Sequence, residues 1–203
     1  MTKHKVFISY HHENDQWAKE ELLKFNEEHQ IFIDGSVDTG DIDDKGMADE
    51  VIREKIRDEY LKDTTVTILL VGKETKNRKH IDWELYSSMR DGKINKKSGI
   101  LVIQLPSTKP EYITAAHGYD EKKKLYPDTE NWISIDSRAE YERRYPYLPE
   151  RIIDNLLAKN VKISVTKWDD LDAEKLQLLI DLTFKDKESC QYDFSRQMRH
   201  NNS

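Results

Sequence analysis

The sequence predicts an α/β protein: one three-layer domain around a central, mainly parallel five-stranded sheet, with an insertion after the fourth strand. Three observations carry that prediction. Short apolar bursts without period-2 alternation (Val6–Ile8, Ile31–Ile33, Val66–Val71, Ile100–Leu105) read as strands buried on both faces. Segments of helical periodicity separate them, and that alternation signals parallel strands with helices on both sides. The rhythm then breaks. All five prolines (Pro106, Pro110, Pro127, Pro146, Pro149) and six of the ten tyrosines fall between residues 106 and 149.

The first strand, Lys5-Val6-Phe7-Ile8-Ser9-Tyr10, ends in polar residues, and ligands of open α/β sheets bind beyond the carboxyl ends of such strands. A helix follows from Glu13 to about His29, with Ala18, Leu22 and Phe25 on one face and Asn14 or Asp15 as its cap. The second strand, Ile31–Ile33, leads into an acidic loop from Ser36 to Lys45. A helix from about Gly46 to Tyr60 brings Ile52 and Ile56 into register. The third strand, Val66–Val71, is stopped by Gly72, and a third helix runs from about Asn77 to Asp91, with Gly92 to end it. After the fourth strand the proline density forbids a long helix or central strand. Residues 106–148 therefore read as an insertion, with Asn131–Ile135 as a short strand and the whole as a wall or lid over the sheet's carboxyl edge. Pro149 opens a helix, Val161–Val165 is a fifth strand near an edge, and Asp172 to about Thr183 is the last helix. The domain should span residues 1–185, and residues 186–203 read as a polar tail.

Composition narrows the function. Of 203 residues, 35% are charged and 36% hydrophobic, and 33 Lys and Arg against 39 Asp and Glu give a net charge of −6. That argues against non-specific binding to nucleic acid or to an anionic membrane. The opening Met-Thr-Lys-His-Lys carries no apolar leader, and no run is long enough to span a bilayer. The single cysteine, Cys190, rules out an intrachain disulfide and suits the cytoplasm. It falls in the tail and is a poor nucleophile candidate.

Glu84 is the leading catalytic candidate. On a helical wheel Ile81, Leu85 and Met89 form the core stripe, and Glu84 lies roughly 100° from its centre, at the boundary of core and solvent. A carboxylate there can lean into a cleft and be partly desolvated. Substituting such a boundary residue should change stability by no more than about 0.5 kcal/mol. Trp83 points away from the stripe, which places an aromatic where packing does not require one. Other motifs fail on their own chemistry. Asp41–Gly46 starts like an EF-hand loop, but its twelfth position is Ile52, where calcium needs a bidentate Glu. His11 and His12 are adjacent and no other histidine stands at a zinc-ligand spacing. There is neither a G-x-G-x-x-G nor a P-loop, which disfavours redox and NTPase readings. The first strand does not end in paired acids, which disfavours a phosphoacceptor receiver.

An apolar-Phe-Ile-Ser-Tyr strand, a charged first helix and a third helix bearing Trp83-Glu84 resemble a TIR domain over about residues 3 to 105. Through the last helix, the chain is similar to the TIR-like subunit of the bacterial Thoeris anti-phage system. The resemblance implies a flavodoxin-like, TIR-type fold and cleavage of NAD+ between nicotinamide and ribose. In the Thoeris branch it implies a cyclic ADP-ribose isomer that activates a separate effector protein. It makes Glu84 the catalytic glutamate and puts Phe7, Ser9, Tyr10 and Trp83 at the substrate site. No cofactor or metal is implied, since NAD+ enters as substrate. The implied partners are NAD+, the effector reached by the diffusible signal, a phage-derived trigger, and further copies of the chain through TIR surfaces. The acidic loop becomes an assembly surface.

One carboxylate is enough for that chemistry. Glycosidases need a second carboxyl group to protonate an oxygen leaving group. Nicotinamide leaves as a neutral molecule, so only the developing oxocarbenium charge needs an anion. Ring closure further needs a dry site that holds the adenine near the ribose, for which Tyr112 and Tyr119 of the insertion are candidates. Two other readings share these residues. One is a non-catalytic TIR-like interaction module. The other is a nucleoside deoxyribosyltransferase-like enzyme, whose glutamate would be a covalent nucleophile.

Overall fold

The computed structural model describes residues 3–36 and 48–202. The acidic loop, the EF-hand-like run and the start of the second helix lie outside the described residues. The sheet has five strands, β1 (Lys5–Ser9), β2 (Ile33–Asp34), β3 (Val66–Val71), β4 (Gly99–Gln104) and β5 (Ser164–Lys167). Their spatial order is β2-β1-β3-β4-β5, and every pairing between strands is parallel. β3 and β4 are buried along their whole length, as continuous apolar runs in a doubly covered parallel sheet must be.

Helices cover both faces. On one side α1 (His12–His29) and α7 (Ala173–Asp186) pack Ala18, Leu22, Leu176 and Leu179 against Ile8, Ile68, Leu70 and Ile103. On the other side α3 (Lys79–Ser88) and α6 (Glu150–Leu157) pack Ile81, Leu85, Ile152 and Ile153 against Leu69, Val71, Ile100 and Val102. A smaller cluster joins Phe7 and Trp83 to α2 (Asp49–Lys55) and the π-helical turn after it, through Ile52, Ile56 and Leu61. Alternate β1 residues thus serve opposite layers: Val6, Ile8 and Tyr10 face α1, while Phe7 faces α3.

Several boundaries move. Ile31 and Phe32 are buried, but the paired residues of β2 are Ile33 and Asp34, so this apolar burst fills the core before it pairs. β5 begins at Ser164 instead of Val161, and Asn131–Ile135 forms no strand. The cap of α1 is His11, whose Nδ1 accepts the Asn14 N–H at 3.1 Å.

The insertion is not a lid. It closes the β5 edge. Thr114 exchanges two backbone hydrogen bonds of 2.8 Å with Val165, and the Tyr126 hydroxyl donates to Thr166 Oγ1 at 2.8 Å. Its helices α4 (Tyr119–Leu125) and α5 (Arg138–Arg144) send Leu125 into the α1 layer and Tyr141 into the α3 layer. Tyr112 packs against Tyr145 and Arg144, and Tyr119 is exposed.

The polar C-terminal segment is no frayed tail. Cys190, Tyr192 and Met198 are buried, and Trp83 Nε1 donates to the Arg199 carbonyl at 2.7 Å. Trp83 is therefore a packing residue held beneath this segment. Among the described residues no helix is long and apolar enough to cross a membrane.

Candidate active site

β1 ends at Ser9 on the carboxyl edge of the sheet, and α3 crosses the same face. Ser9 Oγ donates to Glu84 Oε2 at 2.6 Å, a short bond typical of a hydroxyl facing a carboxylate. Residues 75 positions apart thus meet in one contact. Ser9 is buried and Glu84 half-buried, as its place on the helical wheel predicts. Desolvation pushes the Glu84 carboxyl up to about 7, against a smaller downward pull from Ser9. Near neutral pH this group is poised between its two forms. An approaching cation favours the charged one.

A clamp fixes α3 relative to β1. Arg78, the residue that precedes α3, bonds through Nε to His11 Nε2 and through a terminal nitrogen to Glu13 Oε2 at 3.2 Å. His11 is buried, and its pKa is lowered first by burial and then by the Arg78 guanidinium, which favours the neutral ring. Arg78 and His11 were not legible as site-shaping residues, because their pairing spans 67 positions and no motif announces it.

The other expected contacts are corrected by their burial. Phe7 and Trp83 are 3% and 2% exposed and share one apolar cluster, which leaves no ring face for a base to stack on. Tyr10 turns to the α1 layer, where its hydroxyl donates to Gln16 Oε1 at 2.6 Å and its ring stacks on His12 with centroids 4.5 Å apart. Of the four expected substrate contacts, only Ser9 touches Glu84.

Two further polar groupings lie near the sheet. Asp15 of α1 is buried with its carboxyl pushed up to about 6 by desolvation, and a Cβ at Gly72 would stand 2.2 Å from its Oδ2. His117 lies between Asp186 Oδ2 at 2.9 Å and Thr183 Oγ1 at 3.3 Å, like a nucleophile triad. Thr183 is 1% exposed, so no substrate reaches it. Among the described residues no group of three or more His, Cys, Asp or Glu side chains could hold a metal ion.

A parallel sheet of this order, with a serine at the end of β1 and a glutamate on α3 in contact, is the arrangement that the TIR resemblance implies. The sequence model described as Thoeris protein ThsB, TIR-like domain, matches residues 7–110, which hold the end of β1, all of β2 through β4 and the whole Ser9–Glu84 pair. No curated protein matches the chain. That match covers half of the chain and its entire candidate site, and the chain belongs to the Thoeris ThsB family of TIR-like proteins.

Proposed function

We propose that this protein cleaves NAD+ at the bond between nicotinamide and ribose and closes the remaining ADP-ribose into a ring, as the signal of an anti-phage system. The observation that carries the reading is the Ser9–Glu84 contact at 2.6 Å on the carboxyl edge of the sheet, in a desolvated setting. The nicotinamide ring is a cation while bonded to ribose. Its charge would lower the carboxyl pKa, so Glu84 is ionised when needed. As the C–N bond breaks, the electron pair leaves with neutral nicotinamide and the ribose takes on oxocarbenium character. Glu84 opposes that charge from a fixed position and Ser9 orients it. A nucleophile of the same molecule then forms the new bond and releases its proton, giving the cyclic ADP-ribose isomer. Water in its place gives linear ADP-ribose.

Phe7 and Trp83 act in this reading by packing the floor beneath Ser9 and Glu84, and Tyr10 by fixing the β1–α1 turn. The product would act on a separate effector, with a phage-derived component as trigger. The test is to incubate triggered or concentrated protein with NAD+ and, in parallel, with deoxynucleosides, and to follow the released base. Nicotinamide release supports the proposal. Release from deoxynucleosides alone would favour the deoxyribosyltransferase reading, and release from neither the interaction module.

The Ser9 hydroxyl also sets the pH profile. It pulls the Glu84 pKa down, so Ser9→Ala moves it further up. The rate needs the ionised form, so kcat/KM for nicotinamide release should rise with pH through about 7 in the parent protein. In Ser9→Ala the rising limb should lie at higher pH. Superimposable limbs would detach Glu84 from the reaction.

A further inference from the structure

The α1 side of the sheet, across from α3 and Glu84, holds a cavity of about 310 Å3 between α1 and the turn that joins β5 to α7. Its floor is Leu22 and Leu176, both buried, and its walls are Phe25, Trp168 and Leu171, all half-buried. Trp17 is 40% exposed and lies edge-on to Trp168, with ring centroids 5.7 Å apart, which extends the aromatic surface outward. An open concavity with apolar walls is the usual form of a small-molecule site. This volume sits at the lower end of the roughly 300–1,000 Å3 of such pockets.

Three charged side chains complete the lining: Glu21, Lys24 and Glu28. The two glutamates stand one turn before and one turn after Phe25, on the same face of α1. Among the described residues, none of the three makes a hydrogen bond or an ion pair. Both walls are acidic. Residues 20–28 hold four glutamates and one lysine, and residues 167–175 hold four acids and two lysines. Of those two lysines, Lys175 pairs with Asp172. Lys24 is exposed, so its stem can line the wall while its ammonium turns to solvent.

We propose that this cavity binds a small organic cation, an aromatic ring carrying a protonated alkylamine, with the ring against Phe25 and Trp168 and the ammonium at Glu21 and Glu28. The apolar walls alone would take a neutral ring as well as a charged one. The two carboxylates at the rim, without partners of their own, supply the preference for a cation, and the aromatic faces add to it. A free carboxylate on the ligand would meet the same two glutamates and be repelled. Binding needs no turnover at Glu84, which lies across the sheet, so this site stands or falls apart from NAD+ cleavage.

The experiment is a titration of the folded chain with phenylethylamine, phenylalanine and phenylpropionate, which share a ring and differ in charge. It is followed by the NMR signals of the tryptophan indole N–H groups, assigned with single Trp→Phe variants, at about pH 8, where histidine rings are neutral. The Trp168 signal should shift saturably with phenylethylamine, while that of Trp83, bonded to the Arg199 carbonyl across the sheet, stays in place. Affinity should fall from phenylethylamine to phenylalanine to phenylpropionate. Glu21→Gln/Glu28→Gln, two exposed positions, should weaken phenylethylamine at least about fivefold with its thermal melt unchanged. Leu171→Trp, which fills the cavity from its half-buried wall, should remove the shift. Absence of a saturable shift at Trp168, phenylpropionate binding as tightly as phenylethylamine, or unchanged affinity in the double variant would each overturn the site.

Discussion

Glu84→Gln should lower nicotinamide release by about a hundredfold to a thousandfold, the usual loss when one preorganised electrostatic group is removed. The amide keeps the volume and still accepts the Ser9 hydroxyl, so the cleft keeps its shape while the charge facing the ribose disappears. The same variant is expected to fold better, a larger effect than the near-neutral one expected from the helical wheel. The carboxyl titrates at about 7 in the folded chain against 4.5 when solvated. Between those values the folded state holds a proton that the unfolded state lacks, so stability falls as pH rises through this window. Below 4.5 the penalty is absent, and above about 7 it is complete. At about 1.4 kcal/mol per pKa unit the ceiling is roughly 3 kcal/mol. Partial exposure brings the expected gain for Glu84→Gln at pH 8 to about 1–2 kcal/mol. Melts of both proteins at pH 4 and pH 8, beside the release assay, read both effects. Unchanged release from the folded variant would remove Glu84 from catalysis.

The largest stability loss is expected at Arg151. Its guanidinium is fully buried, grips both Asp82 oxygens, donates to the carbonyls of Arg196 and Gln197 at 3.1 and 3.0 Å, and lies 4.8 Å from the Tyr86 ring centroid. Arg151→Met keeps much of the volume but strands the Asp82 carboxylate, which typically costs about 3–5 kcal/mol. Against a total of about 5–15 kcal/mol for a domain, that is a large share. Urea midpoints should fall accordingly, and adding Asp82→Asn should restore most of the loss, because the stranded charge is then gone. A loss under about 1 kcal/mol for the single variant would mean that the pair is hydrated and contributes little.

The parts of the fold that could be read are those that bury side chains with a clear period. Val66–Val71 had no other reading, and the boundary position of Glu84 on α3 followed from Ile81, Leu85 and Met89 alone. The meeting of Ser9 and Glu84 was legible only through the rule that sites form at the carboxyl edge of parallel strands. What escaped was structure carried by backbone groups. The segment after Tyr192 is polar in composition, but it holds Arg151 and Trp83 through the carbonyls of Arg196, Gln197 and Arg199, which no composition reveals. A single apolar stripe on α3 through Ile81, Leu85 and Met89 leaves Trp83 outside the core. A second cluster, with Phe7 and Met198, claims the adjacent face. The tyrosines of the insertion were read by their rings, whereas Tyr126 and Tyr145 use their hydroxyls on Thr166 and Thr114 to seal β5.

The docking of the C-terminal segment on α3 gives the protein a clock. A ribosome adds residues in order, at roughly 5–20 per second. Arg151 therefore waits for acceptors made 45 and 46 residues later, a delay of about 2–9 seconds. Asp82 waits across 117 residues for the Arg199 N–H. Until then α3 lacks the bonds that the C-terminal segment makes to Asp82 and Trp83. Pulse proteolysis of chains stalled before residue 196 should cut within α3 and α6, while released chains resist. The contacts that hold Asp82, Trp83 and Arg151 thus join residues made far apart in time, after all five strands of the sheet have been synthesised.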